Sequence, residues 1–188
     1  AGARVITTNT FSTNPIMLGP AGLADAFASL NRGAVEVARA AREATGTEDT
    51  VAIAGSMSHQ MPRYHGRNEP EFVPTLAAAR EHFRAMADLL AESGVDFLLM
   101  EMMSDPDYAN LAIEAARRTG LPVWVGFSVR PNDDGELVAN SRRDLPMEEM
   151  YREMDLDGVR VAGVMHSKSD HMGAAVDALR RHWSGTLM

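Results

Sequence analysis

Polar side chains stand at the ends of several apolar runs in this sequence, and they are the groups that could do chemistry. The run Val161 to Met165 stops at His166, and a polar loop carrying Asp170 and His171 follows. Glu101 interrupts the run FLLMEMM. A carboxylate so flanked is costly to bury unless it is paired or belongs to a site. Thr7, Thr8, Asn9 and Thr10 end a third run, Ser56, Ser58 and His59 a fourth, Ser128 and Arg130 a fifth. Hydroxyls, one carboxylate, one guanidinium and imidazoles together suit a zwitterionic small molecule such as an amino acid. Structural roles compete with each of these. Threonine is a good strand former, and Ser56 and Ser58 follow Gly55 and suit a turn. Arg130 precedes Pro131 and is expected to face solvent, and His59 and His65 to be solvated in a loop. His166, His171 and Asp170 resemble a loose ligand cluster, yet Asp170 would equally cap a helix.

The elements that must position these groups alternate. A glycine, an apolar or small residue, one more residue and then an apolar run recur at AGARVITTNT, SGVDFLLMEM, TGLPVWVGFS and DGVRVAGVMH. Glycine suits the left-handed position that ends a helix. The nearly continuous apolar run after it suits a strand covered on both faces. TVAIAGSM has the same character without the glycine. Helical spacing lies between the runs. Leu23, Phe27, Leu30, Ala34 and Ala38 mark a helix in residues 21–44, and Leu76, Phe83, Met86 and Leu90 one in 74–92. A third opens at Ser104 or Asp105 with an early Pro106 and closes at Gly120. A fourth spans about Met172 to Trp183. Strands alternating with helices predict an α/β fold with a parallel sheet. Long polar loops at 58–73 and 130–144 follow strands, where barrel enzymes keep their chemistry. No G-x-G-x-x-G follows a strand, so a dinucleotide fold has little support.

Composition narrows the partners. The chain has 188 residues, 45% of them apolar, and a formal charge of −8 from 18 basic and 26 acidic residues. That favours one globular domain and argues against nucleic acid or an anionic membrane as partner. No apolar run approaches ~18 residues. The lack of cysteine excludes disulfides and fits a cytoplasmic protein. The thirteen methionines are expected as core filler. SGTLM at the end reads as the opening of another strand, so the chain is expected to be an excerpt of a larger domain.

These segments, taken in order, resemble the homocysteine S-methyltransferase family. AGARVITTNTF is similar to its second-strand motif, VAIAGSM to the third, SGVDFLLMEMMSD to the fourth with its Glu, LPVWVGFSV to the fifth and GVRVAGVMH to the sixth. The resemblance implies a (β/α)8 TIM barrel, of which residues 1–188 would hold strands two to six and the start of the seventh, as one barrel domain. It implies an S-methyltransferase that moves a methyl group from a donor to a thiol such as homocysteine, giving methionine, with zinc. In the family, three cysteines hold the zinc, one of them closing a Gly-Val-Asn-Cys segment after strand six. Here Gly163-Val164-Met165-His166 stands in that place. The resemblance therefore assigns Thr8, Glu101 and Met165 to substrate binding, Glu101 as the carboxylate that receives the ammonium group. It assigns His166 to the first metal position, where an imidazole can serve as zinc ligand. Two other functions compete. One is a barrel that binds an amino-acid-like ligand without methyl transfer. The other is a hydrolase or lyase using Glu101 and His166 as acid and base.

Overall fold

The computed structural model describes residues 2–61, 63, 64, 67, 68, 72–142 and 144–188. In chain order the elements are β1 (Val5–Thr7), α1 (Pro15–Leu18), a 3-10 turn (Ala24–Ala26), α2 (Phe27–Ala44), β2 (Ala52–Ser58), β3 (Arg63–Tyr64), β4 (Arg67–Asn68), α3 (Leu76–Glu92), β5 (Phe97–Met103), α4 (Pro106–Arg118), β6 (Val123–Phe127), β7 (Val129–Pro131), β8 (Leu137–Ala139), α5 (Met147–Glu153), β9 (Val161–Val164), α6 (Ser169–His182) and β10 (Thr186–Leu187). Six strands form one parallel sheet in the order β1-β2-β5-β6-β9-β10. A helix stands between each strand of this sheet and the next. β3–β4 and β7–β8 are antiparallel hairpins inside the connections that follow β2 and β6. The expected α/β architecture is therefore present, as an incomplete barrel whose described edges are β1 and β10.

Glycine sets where two of these strands begin. Gly94 and Gly120 follow the caps of α3 and α4 with φ of +84° and +77°. A side chain is disfavoured in that region, so the helix stops there and the chain turns into the sheet. Gly158 has φ +68° but serves a turn, since α5 already ends at Glu153.

Alternation along each strand divides the side chains between two faces. Leu98 and Met100 of β5 join Phe83, Met86 and Leu90 of α3 and Ile113 of α4 in the main core, all fully buried or nearly so. Each large side chain there contributes about 1.5–3 kcal/mol by leaving water. The opposite face carries Phe97 and Leu99, packed with Ala54, Trp124 and Met165. The Phe97 and Trp124 rings lie 4.2 Å apart between centroids. On this inner face Gly126 and Gly163 are paired in register. A Cβ on Gly126 would stand 2.0 Å from Met165 Cε, so the Met165 side chain lies across bare backbone.

The structure departs from several local expectations. In α2 the buried face is Asn31, Val35 and Ala38, while Leu30 is exposed, and Leu23, also exposed, lies ahead of the helix before the 3-10 turn. Asn31 displaces the apolar register because its amide donates to Thr13 O and Phe27 O, and its Oδ1 accepts from Thr13 Oγ1. Leu76, at the first position of α3, is exposed as well. Of the two caps expected for α4, Asp105 is the one used, which agrees with the sequence reading. Helix α6 begins at Ser169 with Lys168 at the N-cap, so Asp170 lies in the first turn and makes no cap bond. Ser56 and Ser58 sit inside β2 rather than in a turn.

Candidate active site at the carboxyl ends of the strands

A bulge in β5 sets the direction of Glu101. Met100 pairs with Val125, but the next registered pair is Met103 with Phe127. β5 thus has one residue more than β6 over that interval, and an extra residue bends its strand. Met102 takes up the bend with φ +57°. A non-glycine residue is strained in that region, and such strain persists only where neighbours hold it. Here Ser104 holds it. Its N–H donates to His59 Nε2 at 2.9 Å, and its Oγ donates to Met102 O at 3.2 Å. With that proton committed, the Ser141 hydroxyl donates to Ser104 Oγ at 2.8 Å.

Glu101 itself is half-buried and paired in register with Ser58. It lines a cleft with Phe11, His59, Met61, Asp105 and Asn140, among others. Among the described residues its carboxylate accepts no hydrogen bond and forms no ion pair. Ser58 is occupied: its hydroxyl donates to Phe11 O at 2.7 Å and accepts from Gln60 N–H at 3.2 Å.

Asp105 is the second carboxylate of the cleft. It accepts from Asp107 N–H at 3.2 Å as the cap of α4, and Arg142 Nη1 stands 3.9 Å away. Burial pushes its carboxyl above the ordinary range, and the pull of Arg142 only partly opposes this. The stability Asp105 contributes is therefore complete below the ordinary value of 3.8 and is lost as pH rises through the higher folded value. At neutral pH the ionised group costs stability. Asparagine caps as well as aspartate and carries no charge. Asp105→Asn is expected to raise the thermal midpoint at pH 7 by about 1–3 °C, and the gain should vanish near pH 3.5. Melts of both proteins at the two pH values check this; a midpoint lowered at pH 7 would show that the Arg142 pair dominates.

Thr8 works at the end of β1. Thr10 Oγ1 donates to Ser56 O at 2.7 Å, and Ser56 N–H donates to Thr8 Oγ1 at 3.1 Å. The two hydroxyls lie 2.7 Å apart, so Thr8 donates to Thr10. This latch continues the β1–β2 pairing past Thr7. Thr8 is buried, and it lines a different hollow, between β1 and α2, from the one that Glu101 lines. Its proton is committed, and one lone pair is left for a ligand.

At the end of β9 the chain turns at His166, the second non-glycine residue with positive φ, at +48°. Ser128 Oγ donates to His166 O at 3.3 Å. Ser167 Oγ donates to Met165 O and accepts from Val129 N–H, both at 3.0 Å. These bonds hold the turn through its backbone. The imidazole of His166 is exposed and has no partner among the described residues. His171 stands 3.9 Å from Asp170. Among the described residues no three His, Cys, Asp or Glu side chains are grouped to hold a metal ion, so His166, His171 and Asp170 form no ligand cluster. The donor chemistry of His166, an imidazole at a strand end with no partner among the described residues, fits one zinc position.

Two further expectations change. His59 is buried rather than solvated, with its Nε2 accepting from Ser104. Arg130 is half-buried in β7. His65 lies outside the described residues. Sequence reasoning missed His59, Ser104 and Ser141 as a framework. The one local sign was a histidine directly after a β2 end rich in serine. Among the described residues no helix is long and apolar enough to cross a membrane.

A family model for homocysteine S-methyltransferase matches residues 1–188. S-methylmethionine–homocysteine S-methyltransferase BHMT2 of Mus musculus is 27% identical over 134 residues, which are 71% of this chain and 32% of that protein. The metallated form of the homocysteine methyltransferase MmuM from Escherichia coli superposes with a TM-score of 0.77 at 21% identity, over all of this chain and 66% of that one. Its apo form gives 0.68 at 20% identity, over all of this chain and 65% of that one. The chain thus spans about a third of the curated relative and about two thirds of the solved structures.

Proposed function

The chain belongs to the homocysteine S-methyltransferase family, and from that premise we propose that its protein is an S-methyltransferase whose acceptor is homocysteine or a closely related amino-acid thiol. The observation that carries this reading is Glu101, a half-buried carboxylate without a partner among the described residues, placed by a strained bulge in a cleft at the carboxyl ends of parallel strands. A group of that kind suits the ammonium of an amino acid, since a hydrogen-bonded ion pair offsets the cost of its burial. Phe11 and Met61 give the same cleft apolar wall. In the reaction the acceptor sulfur, as thiolate, forms a bond to the methyl carbon while the bond from methyl to donor breaks. The donor keeps that electron pair, and the product is a thioether.

Residues 1–188 are read as most of one barrel domain that further strands complete. Met165 is read as a flank of the acceptor site, Thr8 as a support that acts on that site through its bonds to Thr10 and Ser56 from the separate hollow between β1 and α2, and His166 as one zinc ligand whose companions lie outside the described residues. Zinc there would supply Lewis acidity that keeps a thiol deprotonated. The chain's own residues bind and orient: Glu101 takes the ammonium, and the bonds from Ser128 and Ser167 fix the backbone that carries His166. The cysteine-free sequence supports a cytoplasmic setting.

The test is methyl transfer by the full-length protein to homocysteine from a panel of labelled sulfonium and quaternary ammonium donors. Labelled methionine is the expected product. Homocysteine binding without turnover from any donor would favour the second reading, an amino-acid-binding barrel.

A further inference from the structure

We infer that His59 is a positioning residue for the acceptor site, acting on Glu101 through the backbone of Ser104; the inference rests on the reading of Glu101 given above. His59 is 7% exposed and follows directly on β2, while Ser104 is 1% exposed and follows directly on β5. The bond between them, from Ser104 N–H to His59 Nε2, spans 45 residues of sequence at 2.9 Å. It falls where the ladder cannot help. β5 has left the register of β6 between Met100 and Met103, and Met102 is in a conformation that its side chain disfavours. Unheld, that residue would relax toward an ordinary strand conformation. Because successive strand residues face opposite ways, such a relaxation would change the direction of the adjacent Glu101. His59 supplies the acceptor that a neighbouring strand would otherwise supply. The bond requires an unprotonated Nε2, so the other ring nitrogen carries the proton. Ser104 Oγ on Met102 O, backed by Ser141, closes the same kink from the other side.

The experiment uses the full-length protein, wild type and the variants His59→Leu and His59→Gln. Leucine removes the acceptor at similar bulk, and the glutamine oxygen restores one. Three readouts are taken: exchange of the Ser104 amide without ligand, and KM and kcat for homocysteine. His59→Leu should speed Ser104 exchange by at least about tenfold and raise KM by about tenfold, as loss of the buried bond to Ser104 implies. Its kcat should change by less than about twofold, because an interaction made equally in ground and transition states acts on KM. His59→Gln should recover most of both losses. A Leu variant with unchanged KM, or with kcat falling while KM holds, overturns the inference, and so does a Gln variant no better than Leu. Should His59→Leu not fold, the wild type still decides. A nitrogen–nitrogen coupling across the bond from Ser104 to His59 is expected there, and its absence overturns the inference. A wild type that shows the coupling and takes no homocysteine refutes the functional reading and with it the role assigned to His59, while leaving the bond itself standing.

Discussion

Glu101→Gln is expected to weaken binding of the amino-acid acceptor by about tenfold to a hundredfold, the range for losing a hydrogen bond to a charged group. The thermal midpoint should stay within a few degrees. Both halves follow from the same observation. The carboxylate has no partner among the described residues, so removing its charge breaks nothing that holds the fold. Glutamine has the same shape and no ionised desolvated group, so it sits in the bulge without new cost. The ammonium of the ligand, in contrast, loses the carboxylate free to receive it, since Asp105, the other carboxylate of the cleft, already caps α4 and faces Arg142. Titration calorimetry with homocysteine and a melt of each protein measure the two effects. A large loss of stability with binding unchanged would make Glu101 a structural residue.

His166→Ala should remove most of the zinc from the full-length protein, and His166→Cys should keep it. The imidazole makes no described contact that alanine would forfeit, and the turn around it is held by bonds from Ser128 and Ser167 to backbone atoms. Alanine inherits the same left-handed backbone as histidine, so the strain is common to both. Fold and metal are therefore separable at this position. Thiolate and imidazole both serve zinc in tetrahedral sites, which is why cysteine should substitute. Metal content per chain on the three purified proteins, alongside their melts, gives the answer. Zinc-free wild type, or full zinc in the Ala variant, sinks the ligand assignment.

The sheet was legible in the sequence because its four inner strands are buried along nearly their whole length. Such strands read as unbroken apolar runs, and all six expected runs became strands in the expected order. Gly94 and Gly120 were legible for a different reason: few residues but glycine suit the backbone they adopt. What could not be read depends on partners distant in sequence. Asn31 looked like a break in an apolar face, and only Thr13 explains its burial. His59 looked like a loop histidine, because its partner Ser104 lies in another connection. The kink at Met102 leaves no local signature, since methionine is not a residue that prefers φ +57°. The β7–β8 hairpin and α5 fell within or beside a stretch read as polar loop; their apolar anchors, Val138, Met147, Met150 and Tyr151, are spaced too briefly to form a long pattern. Glu101 and His166 stood out at once as polar groups at the ends of apolar runs, and both lie at strand ends.

Strand order in the main sheet follows the order of the chain without exception: β1, β2, β5, β6, β9, β10. No strand has to insert between two that are already paired. During synthesis, each new strand can therefore dock on the edge left by the one before it, with the intervening helix closing over the junction. Pairing between successive units keeps loop closure short compared with a sheet whose neighbours come from opposite ends of the chain. Emergence from the ribosome, from first residue to last, is then also a possible order of assembly, and the growing edge is the one place where a nascent sheet needs protection from other chains.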